Sequence, residues 1–198
     1  MHCFIVEKRD GRIKARTVAD GRSQERYMDE ETHSPMVRLE SIMLCSLIDA
    51  YERRYVRTIN IKGAFLKAKV LDDLELIVKM EGKLAELMNE ICQNFMIGED
   101  GVMYLKCIKA LYGHVEAARL CYDDLNKMLV DKMGFQRNQY EPCVYNKKTA
   151  DGFVTAWTHV DEIKISSKSE EQLDIVIDDL KQYYKEIQGD HGASGEYS

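Results

Sequence analysis

Asp161 and Glu162 are adjacent acids between two runs of strand character, Phe153-Val-Thr-Ala-Trp157 and Ile163-Lys-Ile165. The first run is β-branched and aromatic, as strands prefer. The second alternates apolar and polar. The pattern predicts a strand, a tight turn and a second strand. Neighbouring side chains on a straight strand point to opposite faces, but a tight turn relaxes that rule, so both carboxylates can line one small pocket. Carboxylates sharing a pocket repel, and a divalent cation removes the repulsion. An ordinary acidic hairpin turn would carry the same residues.

Composition bounds what surrounds this pair. The 198 residues suit one large domain or two small ones, and are enough to bury a real core. Cys3, Cys45, Cys92, Cys107, Cys121 and Cys143 show no metal-ligand spacing, and the chain is long for a disulfide scaffold. Reduced, mostly buried thiols are expected. The N-terminus has no extended apolar core and no run approaches membrane-spanning length. The expectation is an intracellular chain, cytoplasmic with access to the nucleus, and no membrane partner. The net charge of -6 argues against simple nucleic-acid binding. Residues 1–26, however, hold 7 of the 28 Lys/Arg and only 4 of the 34 Asp/Glu. A basic head on an acidic body suits a phosphate-binding element beside a metal site; a solvated charged hairpin fits equally well.

The elements that must position these groups follow in order. Cys3–Arg9 and Arg12–Ala19 predict a hairpin about Asp10-Gly11, with Lys14 and Arg16 on one face. Residues 21–33 are polar and read as irregular. Ser34-Pro35 predicts a helix start, and Leu39, Ile42, Met43, Leu47 and Ala50 a core-facing stripe. Strands are predicted over Val56–Ile61, Leu74–Met80 and Val102–Cys107, and a hairpin pairs Pro142–Lys147 with Phe153–Thr158. Helices are predicted over Lys83–Gln93, over the stripe Ala118 to Leu129 with Gly134 as its stop, and over Glu170–Ile187. Gly189–Ser198 reads as a frayed tail. Hairpins beside long helices indicate α+β with an antiparallel sheet.

Four segments, in this order, resemble the reverse transcriptase of copia-type retrotransposons. They are Lys14-Ala-Arg-Thr-Val-Ala-Asp-Gly-Arg-Ser-Gln24 with Ser34-Pro-Met-Val-Arg-Leu-Glu-Ser41; Ile59-Asn-Ile-Lys-Gly-Ala-Phe-Leu66; Lys109-Ala-Leu-Tyr-Gly113 leading into Ala117-Ala-Arg119; and His159-Val-Asp-Glu162 preceded by Glu141-Pro-Cys-Val-Tyr145. The order and spacing, more than any one segment, make the match specific. The resemblance implies a fingers-and-palm fold over residues 1–188, a small antiparallel palm sheet packed on helices, and a flexible tail over 189–198. It implies RNA-directed DNA synthesis from a template, a primer and deoxynucleoside triphosphates, with two magnesium ions. Three acids normally hold those ions, and their positions here are Asn60, Asp161 and Glu162. Lys14 and Arg16 would meet the incoming triphosphate, for which arginine offers bidentate contacts. Phe65, five residues after Asn60, matches the aromatic gate that excludes a ribose 2′-hydroxyl. Gly113 would let the templating pair approach the backbone. Without the resemblance, Phe65 reads as a core aromatic and Gly113 as a loop-to-helix glycine. His159 packs beside the primer end or faces solvent.

Two departures bear on activity. Asn60 stands where the family has aspartate, and Glu162 extends the second turn acid by one methylene. His114-Val-Glu116 and Arg119-Leu-Cys121 also differ from the usual residues. No thumb, RNase H, integrase or protease segment is recognisable, which reads as a piece of a longer, decayed Pol polyprotein. The expectation is an impaired polymerase domain. Its alternative is a non-catalytic nucleic-acid-binding remnant of the same fold. An unrelated metal-dependent phosphotransfer enzyme built on Asp161 and Glu162 would need a third acid, which no spacing singles out.

Overall fold

The computed structural model describes residues 1–24, 32–185 and 187–190; part of the irregular stretch 21–33, and of the expected tail, lies outside them. In chain order the elements are β1 (His2–Glu7), β2 (Ile13–Val18), α1 (Leu39–Glu52), β3 (Tyr55–Ile61), β4 (Ile77–Glu81), α2 (Lys83–Ile91), β5 (Val102–Lys106), α3 (Ala117–Lys127), β6 (Gln136–Arg137), β7 (Val144–Thr149), β8 (Gly152–His159), β9 (Glu162–Ser167), α4 (Glu170–Tyr184) and β10 (Ile187–Asp190). The fold class is α+β with antiparallel sheets, as expected. Among the described residues no helix is long and apolar enough to cross a membrane. The chain divides into two interleaved units, residues 1–32 with 65–120 and residues 33–64 with 121–198.

In the first unit, β1 and β2 form the expected hairpin, with Phe4 opposite Arg16. Its turn is wider than the Asp-Gly pair alone, closing where the Lys8 N–H donates to the Arg12 carbonyl at 2.8 Å. A second hairpin pairs β4 with β5. It buries Met80 and Met103 with Ala85 of α2. The strand predicted from Leu74 begins only at Ile77, because the Leu74 N–H closes a turn on the Leu71 carbonyl. Ala68, Ala110, Ala117 and Leu120 make a separate small core, against which Phe65 packs.

The second unit carries a six-stranded sheet in the order β10-β3-β9-β8-β7-β6. Ile59, Ile61, Ile163 and Ile165 are buried on one face of its central strands. Buried residues Leu173, Val176, Leu180 and Tyr184 recur at helical spacing along α4, the amphipathic arrangement expected of a helix on a sheet.

Five expectations are corrected by the structure. The helix predicted from Ser34-Pro35 starts at Leu39. Residues before it stay extended because the Glu141 carboxylate, from a distant loop, accepts the Arg38 N–H and the Ser41 hydroxyl. The predicted core stripe of α1 is outside: Leu39, Met43, Leu47 and Ala50 are exposed, while Asp49 is the residue buried. Lys164, read as the polar member of an alternating strand, is buried and ion-paired with Asp49. The last helix ends at Tyr184, and Ile187–Asp190 turn back as β10 against β3. All six cysteines are free, but only Cys121 and Cys143 are buried, and Cys3 is exposed.

Candidate functional site

The adjacent acids sit at the β8–β9 connection. His159 pairs with Glu162, leaving Val160 and Asp161 as a two-residue turn. Favoured two-residue hairpin turns need positive φ at the first position. Val160 adopts φ 58 there without being glycine. A β-branched residue in this region is an outlier, and such strain costs on the order of 1–3 kcal/mol. The ladder holds it in place. On one side β8 pairs with β9; on the other, the Ile61 N–H donates to the Asp161 carbonyl at 2.8 Å.

That last bond ties the turn to β3, where Asn60 is directly opposite Glu162. Opposed residues in a ladder share a face, so Asn60, Glu162 and His159 line one face beside the turn. Gln188 of β10 flanks Asn60 on its other side. Asp161 is half-buried while Glu162 is exposed. The charge of Asp161 is felt by Cys121 on α3: burial pushes that thiol up to about 12, with Asp124 and Asp161 adding to the effect. Glu162 therefore lies on the face of Asn60, and Asp161 sits half-buried in the turn itself. Among the described residues no group of three or more His, Cys, Asp or Glu is gathered to hold a metal ion.

The remaining sequence-derived residues belong to the first unit. Lys14 and Arg16 are exposed and, two apart on β2, share a face. The Arg16 guanidinium lies over the Tyr112 ring, 4.5 Å from its centroid. Phe65 meets the same ring at 4.8 Å between centroids, tilted by 40°. Tyr112 thus joins the two residues singled out in separate segments. It lies inside the segment Lys109-Ala-Leu-Tyr-Gly113, but a tyrosine between leucine and glycine has no spacing that marks it as a platform.

Gly113 also has a reason within the fold. Its φ is 94, and a Cβ there would sit 2.0 Å from the Ala19 carbonyl oxygen. The close approach is by the chain's own backbone, and the Ala19 N–H donates to the Tyr112 carbonyl at 2.7 Å in the same crossing. Gln24 latches it, donating to the Glu116 carboxylate and accepting the Val115 N–H. His114 is partly buried beside it, which lowers its pKa. Gly113→Ala is expected to lose about 2–4 kcal/mol, from strain plus the displaced β2 end. Gly11→Ala, at φ 76 with nothing within 4 Å of its Cβ, is expected to lose about 1–2 kcal/mol. Urea unfolding of both variants checks this; equal losses would mean that the crossing adds nothing.

The model of the family described as reverse transcriptase (RNA-dependent DNA polymerase) matches residues 4–188.

Proposed function

Since the chain belongs to the reverse transcriptase (RNA-dependent DNA polymerase) family, we propose that it is the RNA-directed DNA polymerase domain of a copia-type retrotransposon with an impaired catalytic centre. The observation that carries the impairment is Asn60. It stands opposite Glu162 in the β3–β9 ladder, a neutral amide where an active centre of this kind has a carboxylate. Asn60, Asp161 and Glu162 do not fit two magnesium ions. They bring two negative charges instead of three, and Glu162 holds its charge one methylene further out. A ligand misplaced by about 1 Å can cost roughly a hundredfold in rate. No bond-making step is assigned to the centre in this form.

The first unit corresponds in this reading to fingers and the second to palm. Template, primer and deoxynucleoside triphosphates are its partners. Arg16 and Lys14 supply positive charge on one strand face, and Phe65 with Tyr112 supplies aromatic surface. That combination suits a triphosphate with a sugar and base attached. A binding module without any catalysis is the second reading, favoured by the same neutral Asn60.

Arg16→Ala is expected to weaken deoxynucleoside triphosphate binding about tenfold, the scale of one or two charge-assisted contacts. Arg12→Ala should change it less than about twofold by the same reasoning, because Arg12 is exposed and tied to Asp10 at the hairpin tip. Fluorescence titration with a labelled nucleotide reads both. Equal losses would remove the specific role of Arg16. Absence of binding to nucleotide and to primer–template alike would sink the proposed function.

A further inference from the structure

Helix α1 and the β7–β8 hairpin border a cavity of about 520 Å³ within the second unit. Small-molecule sites span about 300–1,000 Å³. Most of the lining is apolar: Leu44 and Ile48 come from α1, Val144 and Phe153 from the hairpin. Leu44 and Phe153 remain 58% and 49% exposed, so the cavity opens to solvent. Asn60, Asp161 and Glu162 do not line it.

Three charged side chains do, Asp49, Arg54 and Glu141. Two of them are compensated. Asp49 pairs with Lys164, and Arg54 pairs with Glu52 at 2.9 Å. Glu141 differs. It is 6% exposed, and among the described residues its carboxylate meets only hydrogen-bond donors and no cationic side chain. Its Oε2 accepts the Arg38 N–H at 3.1 Å and the Ser41 hydroxyl at 2.9 Å, while its Oε1 accepts only the Cys143 N–H, at a long 3.4 Å. A carboxylate has about four acceptor sites, so Oε1 keeps spare capacity. The start of α1 offsets part of the charge, roughly half of one. The rest is a buried charge without a counter-charge, which is costly.

We propose that this cavity binds a small organic cation, an arylalkylammonium ion, with its ammonium on Glu141 Oε1 and its ring against the apolar wall. An ammonium N–H fills the spare acceptor site with a charge-assisted bond. Phe153 and Tyr140 add aromatic surface to the lining, which suits a ring. An anion would meet the Glu141 carboxylate, and a neutral molecule would leave its charge uncompensated. The site is independent of the polymerase reading.

NMR titration of the isotopically labelled full chain with tryptamine, tryptophol and indole-3-propionate tests this. The three probes share an indole and a two-carbon chain, and end in an ammonium, a hydroxyl and a carboxylate. Tryptamine is expected to bind with a Kd on the order of 1 mM, the scale for a ligand of this size. The other two should bind at least about tenfold more weakly, for want of the charge-assisted bond. Glu141→Gln should lower tryptamine to the level of tryptophol. Glu141 also holds the start of α1, so Ile48→Trp supplies a second variant, which fills the cavity from its half-exposed wall. It should abolish binding of all three probes with the circular dichroism unchanged. No binding of tryptamine overturns the proposal. So does tryptamine binding no tighter than tryptophol, or binding that a folded Ile48→Trp leaves intact. A folded Glu141→Gln that still prefers the ammonium overturns the role of Glu141.

Discussion

Primer extension by the unmodified chain on a poly(rA) template with magnesium is expected to be more than a hundredfold slower than by the variant Asn60→Asp with Glu162→Asp. Asn60→Asp alone should recover part of the difference. The expectation follows from charge. A carboxylate about 4 Å from a divalent cation is worth on the order of 8 kcal/mol at an effective dielectric of 20, before relaxation. Solvent and neighbouring acids return much of that. Retaining only about 3 kcal/mol of it at the transition state already changes the rate more than a hundredfold. The position is favourable for repair, because Asn60 is held opposite Glu162 by continuous pairing on both sides. Efficient extension by the unmodified chain would show that Asn60 does not disable the centre. Failure of every variant would show that it is not the limiting residue.

Asp49→Ala is expected to destabilise the fold by about 3–5 kcal/mol, the cost of leaving one buried charge without its partner. Asp49 and Lys164 are 6% and 9% exposed. Their ion pair joins α1 to the central strand β9, and the Lys164 ammonium also lies 6.0 Å from the Trp157 ring centroid. Asp49→Leu together with Lys164→Met should cost far less, because removing both charges also removes their desolvation. Urea unfolding of the three proteins reads the difference. If Asp49→Ala shifts the midpoint no more than the double variant does, the pair is not the tie between helix and sheet. The same experiment bears on α1, since losing Asp49 frees the helix to turn its apolar side inward.

Much of this molecule was legible before any coordinates. The hairpin acids, the β1–β2 hairpin, the helical stripes of α3 and α4, and the α+β class all rest on local periodicity and turn chemistry, which act over a few residues. The order of the four segments carried the family. Errors arose where a local pattern had more than one long-range solution. The helical spacing of Leu39, Met43 and Leu47 shows that they share a face, but not whether that face meets protein. Asp49 and Lys164, 115 residues apart, decide it, because two buried charges must find each other. Gly113 was recognisable as a glycine needed for close approach, and one group that approaches it is the Ala19 carbonyl, just past the end of β2 and far earlier in the chain. Ile187 continued a helical pattern until pairing with Ile61 made it an edge strand. The sequence by itself determined most of the elements and which residues carry charge near the turn. Only the tertiary structure decided which face of α1 is inside, and that Asn60 and Glu162 share one face, because those choices depend on partners distant in the chain.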